Sequence, residues 1–262
     1  MKPFFRHIYL RLICEYETIM KTSSSLNLPI GNGDICSLLP IGYGQQPQGE
    51  ENGCYIFNKR RVDILFPKEE DISIDDIGRA LSNTCRYNGH TSQFYSVAQH
   101  SVIVSHITEA IIKENTKYGY FSDVIALRAL LHDAHEAYLG DMIRPMKNIA
   151  NISSFIEELE SRWDEVILSC LMPGIDEYKE LLPGVIDEWE EVDQHIPQIE
   201  MALYLDAKGW DDSHPVFKEP FCSVNLSPDL FAYQSPENSF HAFMGKYKAL
   251  STAIIDRKGS VS

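Results

Sequence analysis

The stretch LLHDAHEAYLGD, residues 130–141, places His132, Asp133, His135, Glu136 and Asp141 among Leu130, Leu131, Ala134, Ala137, Tyr138 and Leu139. Burying charge is expensive unless the groups are paired or bound to metal. If the stretch is helical, Glu136 lies four residues after His132 and three after Asp133, on the face they share. His132 and Asp133 project about 100° apart, so one cation bridges them only if both lean toward one groove. Glu136 would then sit beside that cation, able to bind it or to take a proton from a bound water. Further ligands must come from other helices, and His100 and Asp193 have the right chemistry. Imidazole with carboxylate suits Zn, Mn, Fe, Co or Ni, whereas an all-carboxylate set points to Mg or Ca. Taken singly, His100 reads more readily as a satisfied core histidine and Asp193 as a solvated helix residue. Only the combination argues for a metal.

These residues need helices to hold them. Residues 122–139 read as one helix, with Ser122 as N-cap and Leu127, Leu130, Leu131, Ala134 and Tyr138 on one face. FYSVAQHSVIVSHITEAIIKEN carries Val97, His100, Val104 and Ile107 at three- and four-residue steps. DISIDDIGRALSN offers acidic residues before an apolar-periodic run. ISSFIEELESRWDEVILSCLM is amphipathic and stops at Pro173-Gly174. VIDEWEEVDQHIPQIEMALYLDAKG predicts about two dozen helical residues, kinked at Pro197 and capped at Gly209. ENSFHAFMGKYKALSTAII predicts a terminal helix, and CYIFNKRRVDIL a short strand or hairpin arm. Residues 21–53, rich in Ser, Gly, Asn, Pro and Gln, read as loop or weakly ordered extension. No internal repeat and no βαβ alternation occurs. The expected class is all-α: a helical bundle with an irregular N-terminal arm.

The 262 residues, 44% hydrophobic and 23% charged, suit one large domain or a core with extensions. A net charge of −15 argues against nucleic-acid polymers and anionic membranes as partners, since both need a basic face. A phosphate site here needs local metal or arginine to reverse the field. The six cysteines at 14, 36, 54, 85, 170 and 222 form no CxxC pair and read as reduced thiols, so a cytoplasmic location is expected. The N-terminal MKPFFRHIYLRLICEYETIM is broken by Arg6, His7 and Arg11 and lacks a small-residue cleavage site, unlike a signal peptide. No apolar run reaches the ~18 residues of a transmembrane helix. Met20 is an alternative start.

With these motifs in place, the chain resembles the HD-domain metal-dependent phosphohydrolases, whose signature is H…HD…D on separate helices. Here the members are His100, His132, Asp133 and Asp193. RRVDILFP, ISIDDIGRALSNTCRYNGHTSQFYSVAQHS, LLHDAHEAYLGDMIRPMK and EVDQHIPQIEMALYL look like the subgroup of bacterial 5′-deoxynucleotidases and phage dATP or dNTP triphosphohydrolases. The likeness covers roughly residues 60–210, and implies an HD phosphohydrolase core at 56–210 between extensions at 1–55 and 211–262, the latter with a terminal helix. It implies a divalent transition metal (Zn, Co or Mn, with Mg as an additional ion) and water activation by Glu136 and Asp141. It also implies a phosphate contact from Arg86, an aromatic contact from Tyr87 where 5′-deoxynucleotidases usually have Trp, and a homo-oligomer. His90, in the subgroup motif NGHT, and Lys147, in RPMK, complete the substrate-side candidates. Lys147 is equally readable as a solvated lysine. His135 stands where small residues are common and reads as a surface histidine, and His195 as structural or exposed.

The implied function is hydrolysis of a deoxynucleotide phosphoester. The YNGH motif tilts the expectation to a dNTP triphosphohydrolase, dATP being the first substrate to try. A 5′-deoxynucleotidase acting on dNMPs is the alternative, and an alarmone hydrolase a weaker one. From other classes, a metalloprotease is disfavoured because no HExxH occurs. A non-catalytic HD module that binds nucleotide or a partner is disfavoured because all four ligands, Glu136, Asp141 and Arg86 are present.

Overall fold

The computed structural model describes residues 53–56, 61–149, 152–172, 174–205 and 228–261, all inside the compact unit Gln48–Ser262. The expected arm at 1–55 therefore lies outside the described residues except for its last three, as do Met20 and the Gly209 cap. β1 (Gly53–Tyr55) and β2 (Arg61–Asp63) pair antiparallel, with Cys54 opposite Val62, which is the expected hairpin arm. The rest of the described chain is helical, and the all-α expectation holds.

α1 (Ile74–Asn83) begins where Ser73 accepts from the Asp76 N–H, with Asp75 and Asp76 in its first turn. α2 (Val97–Glu114) starts at Ser96, which accepts from the Gln99 N–H at 3.1 Å. Val97, Ala98, His100, Ile103, Val104 and Ile107 are all buried, which makes α2 the central rod. α3 (Ser122–Leu130) runs alongside it, and the Ser105 hydroxyl donates to the Ala126 carbonyl at 2.7 Å across that seam.

The single helix expected over 122–139 is divided. α3 ends at Leu130, residues 131–135 form tight turns, and α4 covers only Glu136–Leu139. The Ala134 N–H donates to the Leu131 carbonyl and the Glu136 N–H to that of Asp133, three-residue closures in place of four-residue ones. Gly140, at φ 81°, takes the left-handed conformation that ends α4 and turns the chain toward Asp141. Ser122 is the first residue of α3 and not its N-cap, which is Phe121 without a side-chain cap.

α5 (Arg144–Lys147) is one turn. α6 (Ser153–Leu171) buries Trp163, whose ring stacks on Tyr138 at 3.9 Å and whose indole N–H donates to the Ile64 carbonyl. That residue ties the β-arm to the helices. α7 (Ile175–Leu181) follows Gly174, and α8 covers Trp189–Tyr204 with Pro197 inside it. α8 starts later than expected, because residues 183–188 form turns.

α9 (Pro236–Val261) packs on α1, α2 and α3. Its Phe243, Leu250 and Ile254 belong to the same core as Ile77 and Leu127. Gly78 permits the approach, since a Cβ there would meet Met244 Sδ at 3.0 Å. At the far end, Arg257 donates to both oxygens of the buried Asp123. Cys85 and Cys170 are free thiols, and no helix among the described residues is long and apolar enough to cross a membrane.

Candidate metal centre and its surroundings

Three elements bring the four expected ligands together: α2 supplies His100, the turn after α3 supplies His132 and Asp133, and α8 supplies Asp193. His132 Nε2 lies 3.1 Å from Asp133 Oδ2 and 3.7 Å from Asp193 Oδ1. His100 Nε2 lies 3.1 Å from Asp193 Oδ1 and 3.6 Å from Asp133 Oδ2. The adjacent His132 and Asp133 thus lean to one side.

The tautomers follow from the outer contacts. His132 Nδ1 is 2.7 Å from the Ala129 carbonyl, which only accepts, so Nδ1 carries the proton. His100 Nδ1 is 2.7 Å from Glu200 Oε1 and donates likewise. Both Nε2 atoms face the Asp133 and Asp193 carboxylates, and each carries either a proton or a lone pair free for a metal. His132 Nε2 is buried and makes no hydrogen bond. Such facing lone pairs repel unless a cation or a proton lies among them. Two imidazoles with two carboxylates, each imidazole fixed through its other nitrogen, fit a divalent transition metal. Without a metal, a proton takes its place. Burial opposes charging of His132, but the Asp133 and Asp193 carboxylates outweigh it and push the imidazole up to about 10. Burial likewise opposes ionisation of Asp133 and Asp193, yet their histidine partners hold both well below the usual carboxylate range.

Glu200 does not stand out in the sequence. It is fully buried on α8, seven residues after Asp193 and so on the same face. Its Oε1 accepts from the Tyr95 hydroxyl at 2.6 Å and from His100 Nδ1, and its Oε2 accepts from the Tyr87 hydroxyl at 2.6 Å. Arg86 Nη2 is 3.4 Å away. Burial would raise its carboxyl, but Arg86 and His100 prevail and bring it down to about 2. The two-turn spacing from Asp193 was the only signal available.

Arg86 spans the site, with Nη1 3.5 Å from Asp133 Oδ2 and its other arm toward Glu200. It opens the Arg86–Gly89 turn, where Tyr87 (φ 55°), Asn88 (φ 52°) and Gly89 (φ 76°) are all left-handed. Left-handed Tyr is uncommon and strained, and here its hydroxyl bond to Glu200 holds it. The Tyr87 hydroxyl is thereby committed within the protein. His90 is exposed beyond the turn and outside this hydrogen-bonded set.

Glu136 is buried beside Asp133, and burial, then Asp133 and Asp141, push its carboxyl well up. Burial also raises the half-buried Asp141. Lys147 Nζ is bound to Glu160 Oε1 at 2.8 Å. His135 is buried, against the surface reading, and His195 Nδ1 meets the Glu191 carbonyl at 2.7 Å. Two residues unnoticed in the sequence flank the four candidate ligands. The Trp189 ring lies 4.8 Å from that of His132, and Arg144 Nη2 is 3.5 Å from Asp193 Oδ2. With Glu190, Asp193 and Gln194 they line an open groove of about 460 Å³.

Parts of the chain are similar to known proteins. Over 105 residues, 39% of the chain, it is 43% identical to an uncharacterized protein of Rhodobacter capsulatus. Over 81 residues, 31% of the chain, it is 42% identical to the uncharacterized protein YfdR of Escherichia coli. These stretches span 50% and 38% of the two relatives' lengths. Residues 81–207, which include the four candidate ligands, Arg86, Glu136 and Glu200, match the model of the 5′-deoxynucleotidase YfbR-like family. That family is what residues 81–207 of this chain are similar to.

Proposed function

We propose that this protein is a metal-dependent phosphohydrolase of deoxynucleotides, acting on deoxynucleoside 5′-monophosphates. The observation that carries the reading is the convergence of two imidazole Nε2 atoms on Asp133 and Asp193, with the Arg86 guanidinium 3.5 Å from Asp133. His100, His132, Asp133 and Asp193 would hold the metal, which supplies a water of lowered pKa and polarises a phosphoryl oxygen.

The other residues do the rest. Arg86 offers a planar fork to the phosphate and offsets charge developing in the transition state. Glu200 pre-sets that fork and the His100 tautomer together. Glu136, a buried carboxyl whose proton affinity is raised by burial and by Asp133 and Asp141, would act as the general base, with Asp141 adjacent. Arg144 and Trp189 give the groove a cation and a stacking face for the nucleotide. These local cations answer the long-range repulsion expected from a net charge of −15.

The monophosphate reading is favoured over the triphosphate one by the description of the matched family, whereas YNGH alone had favoured the triphosphate. Product analysis by ion-exchange chromatography decides. Each dNMP and dNTP is incubated with the purified protein and Mn, Co, Zn or Mg. Inorganic phosphate from monophosphates is expected. Deoxynucleoside with intact triphosphate would reassign the substrate, and no turnover with any metal would overturn the reading. Glu136→Ala should keep metal at the His100–His132–Asp133–Asp193 site while lowering turnover roughly 10²-fold or more.

A further inference from the structure

His132 has less to hold it than His100. The His100 ring is tied through Nδ1 to the buried Glu200 carboxylate at 2.7 Å, and that carboxylate is fixed in turn by two tyrosines and Arg86. The His132 ring is tied through Nδ1 to the Ala129 carbonyl alone. A single bond at one ring atom leaves an imidazole free to rock about it, and rocking moves Nε2, the atom that faces Asp133 and Asp193. The ring lies near two others: that of His100 at 5.3 Å, tilted 60°, and that of Trp189 at 4.8 Å, tilted 37°. Both separations are those of packed rings.

Trp189 is itself seated. The Arg128 guanidinium carbon lies 4.7 Å from the centre of its ring, a cation–π distance. Asp187 Oδ1 accepts from the indole N–H at 3.4 Å and lies 3.6 Å from Arg128 Nε. The Arg128 side chain is only 11% exposed, and its Nε and Nη1 are buried without a hydrogen bond. Buried polar nitrogens are rarely left so. The indole ring and the Asp187 charge are what hold this cation in place. Arg128 stands on α3 four residues before His132, and Trp189 opens α8 four residues before Asp193. The column Arg128–Trp189–His132 therefore ties the end of α3 to the start of α8, where the candidate ligands His132 and Asp193 are carried.

We propose that Trp189 is a positioning residue of the metal centre: seated on Arg128, its indole packs against the His132 ring and keeps Nε2 turned toward Asp133 and Asp193. The inference rests on the metal reading of the site. Ring packing gives His132 what a hydrogen bond from Nδ1 to Glu200 gives His100. A group that stands behind a ligand and fixes its orientation governs how tightly, and in what geometry, an ion is held.

The test uses the full chain, stripped by chelator and titrated with Co²⁺, whose visible absorption reports ligand geometry. Trp189→Leu keeps an apolar side chain without a ring, Trp189→Phe keeps a ring, and Arg128→Met keeps the stem without the charge. Trp189→Leu should weaken Co²⁺ binding roughly 10-fold or more and, at saturation, shift the absorption band. Trp189→Phe should restore most of the affinity and the wild-type band. Arg128→Met should weaken binding in the same direction by less. A lower unfolding temperature of metal-free Trp189→Leu with wild-type affinity and spectrum is what mere packing predicts, and would overturn the proposal while leaving the metal site standing. No Co²⁺ bound by wild type would overturn both. If Trp189→Leu fails to fold, Arg128→Met decides alone, and unchanged affinity and spectrum there would overturn the proposal.

Discussion

Replacing Glu200 by Gln removes a charge from the buried centre of the site while keeping shape. In the native protein, Oε1 accepts from the Tyr95 hydroxyl and His100 Nδ1, and Oε2 from the Tyr87 hydroxyl and Arg86. An amide keeps one acceptor oxygen and turns the other position into a donor. Whichever way it is oriented, two native donors then face an N–H. Each buried donor so stranded costs about 1–3 kcal/mol. Breaking a buried ion pair costs about 3–5 kcal/mol, and since Arg86 keeps Asp133 we expect a total in that range. At about 2–4 °C per kcal/mol for a domain of this size, thermal unfolding followed by circular dichroism should fall by roughly 6–20 °C. His100 also loses the acceptor that fixes its tautomer, so affinity for Mn²⁺ or Zn²⁺, read by chelator competition, should weaken roughly 10–100-fold. A variant that unfolds within ~2 °C of wild type and binds metal unchanged would refute the claim that Glu200 organises Arg86, Tyr87 and His100 together.

Other perturbations separate the site from the scaffold. Metal removal should destabilise the protein, because a ligand at 100 times its Kd adds about 2.7 kcal/mol, and a chelator scan of the melting temperature checks this. Arg257→Ala strands the buried Asp123 at the junction of α9 and α3 and should cost about 1–3 kcal/mol in urea unfolding, with metal affinity unchanged. Glu109 of α2 is bonded to Lys113 and to Lys246 of α9; burial opposes its ionisation, but the two lysines hold its carboxyl below the ordinary range. Its stabilisation is therefore present above the unfolded carboxylate range and lost as pH falls through the folded one. Glu109→Gln should flatten the acid limb of the stability profile by a small amount, as half-exposed pairs are worth about 0–1 kcal/mol.

Much of this was legible from residue types. The helices at Ile74–Asn83, Val97–Glu114 and Ser153–Leu171 follow from three- and four-residue apolar steps, which register directly which face must be buried. The candidate metal set could be singled out because His100, His132, Asp133 and Asp193 combine in the pattern of a family the chain resembles, although His100 and Asp193 taken singly read as ordinary residues. Other features depend on packing between distant segments. The division of 122–139 into α3, a tight turn and α4 is invisible to periodicity, since the apolar pattern continues across it. The burial of His135 depends on α6 bringing Asp164 against it, and its sequence neighbours say nothing about that. Glu200 in IPQIEMALY resembles any solvated helix carboxylate. Only its position on α8, opposite Tyr87, Tyr95, Arg86 and His100, makes it the buried anchor. Residue chemistry is local and can be read along the chain. Which charges are desolvated together is a long-range property, decided by how the helices pack.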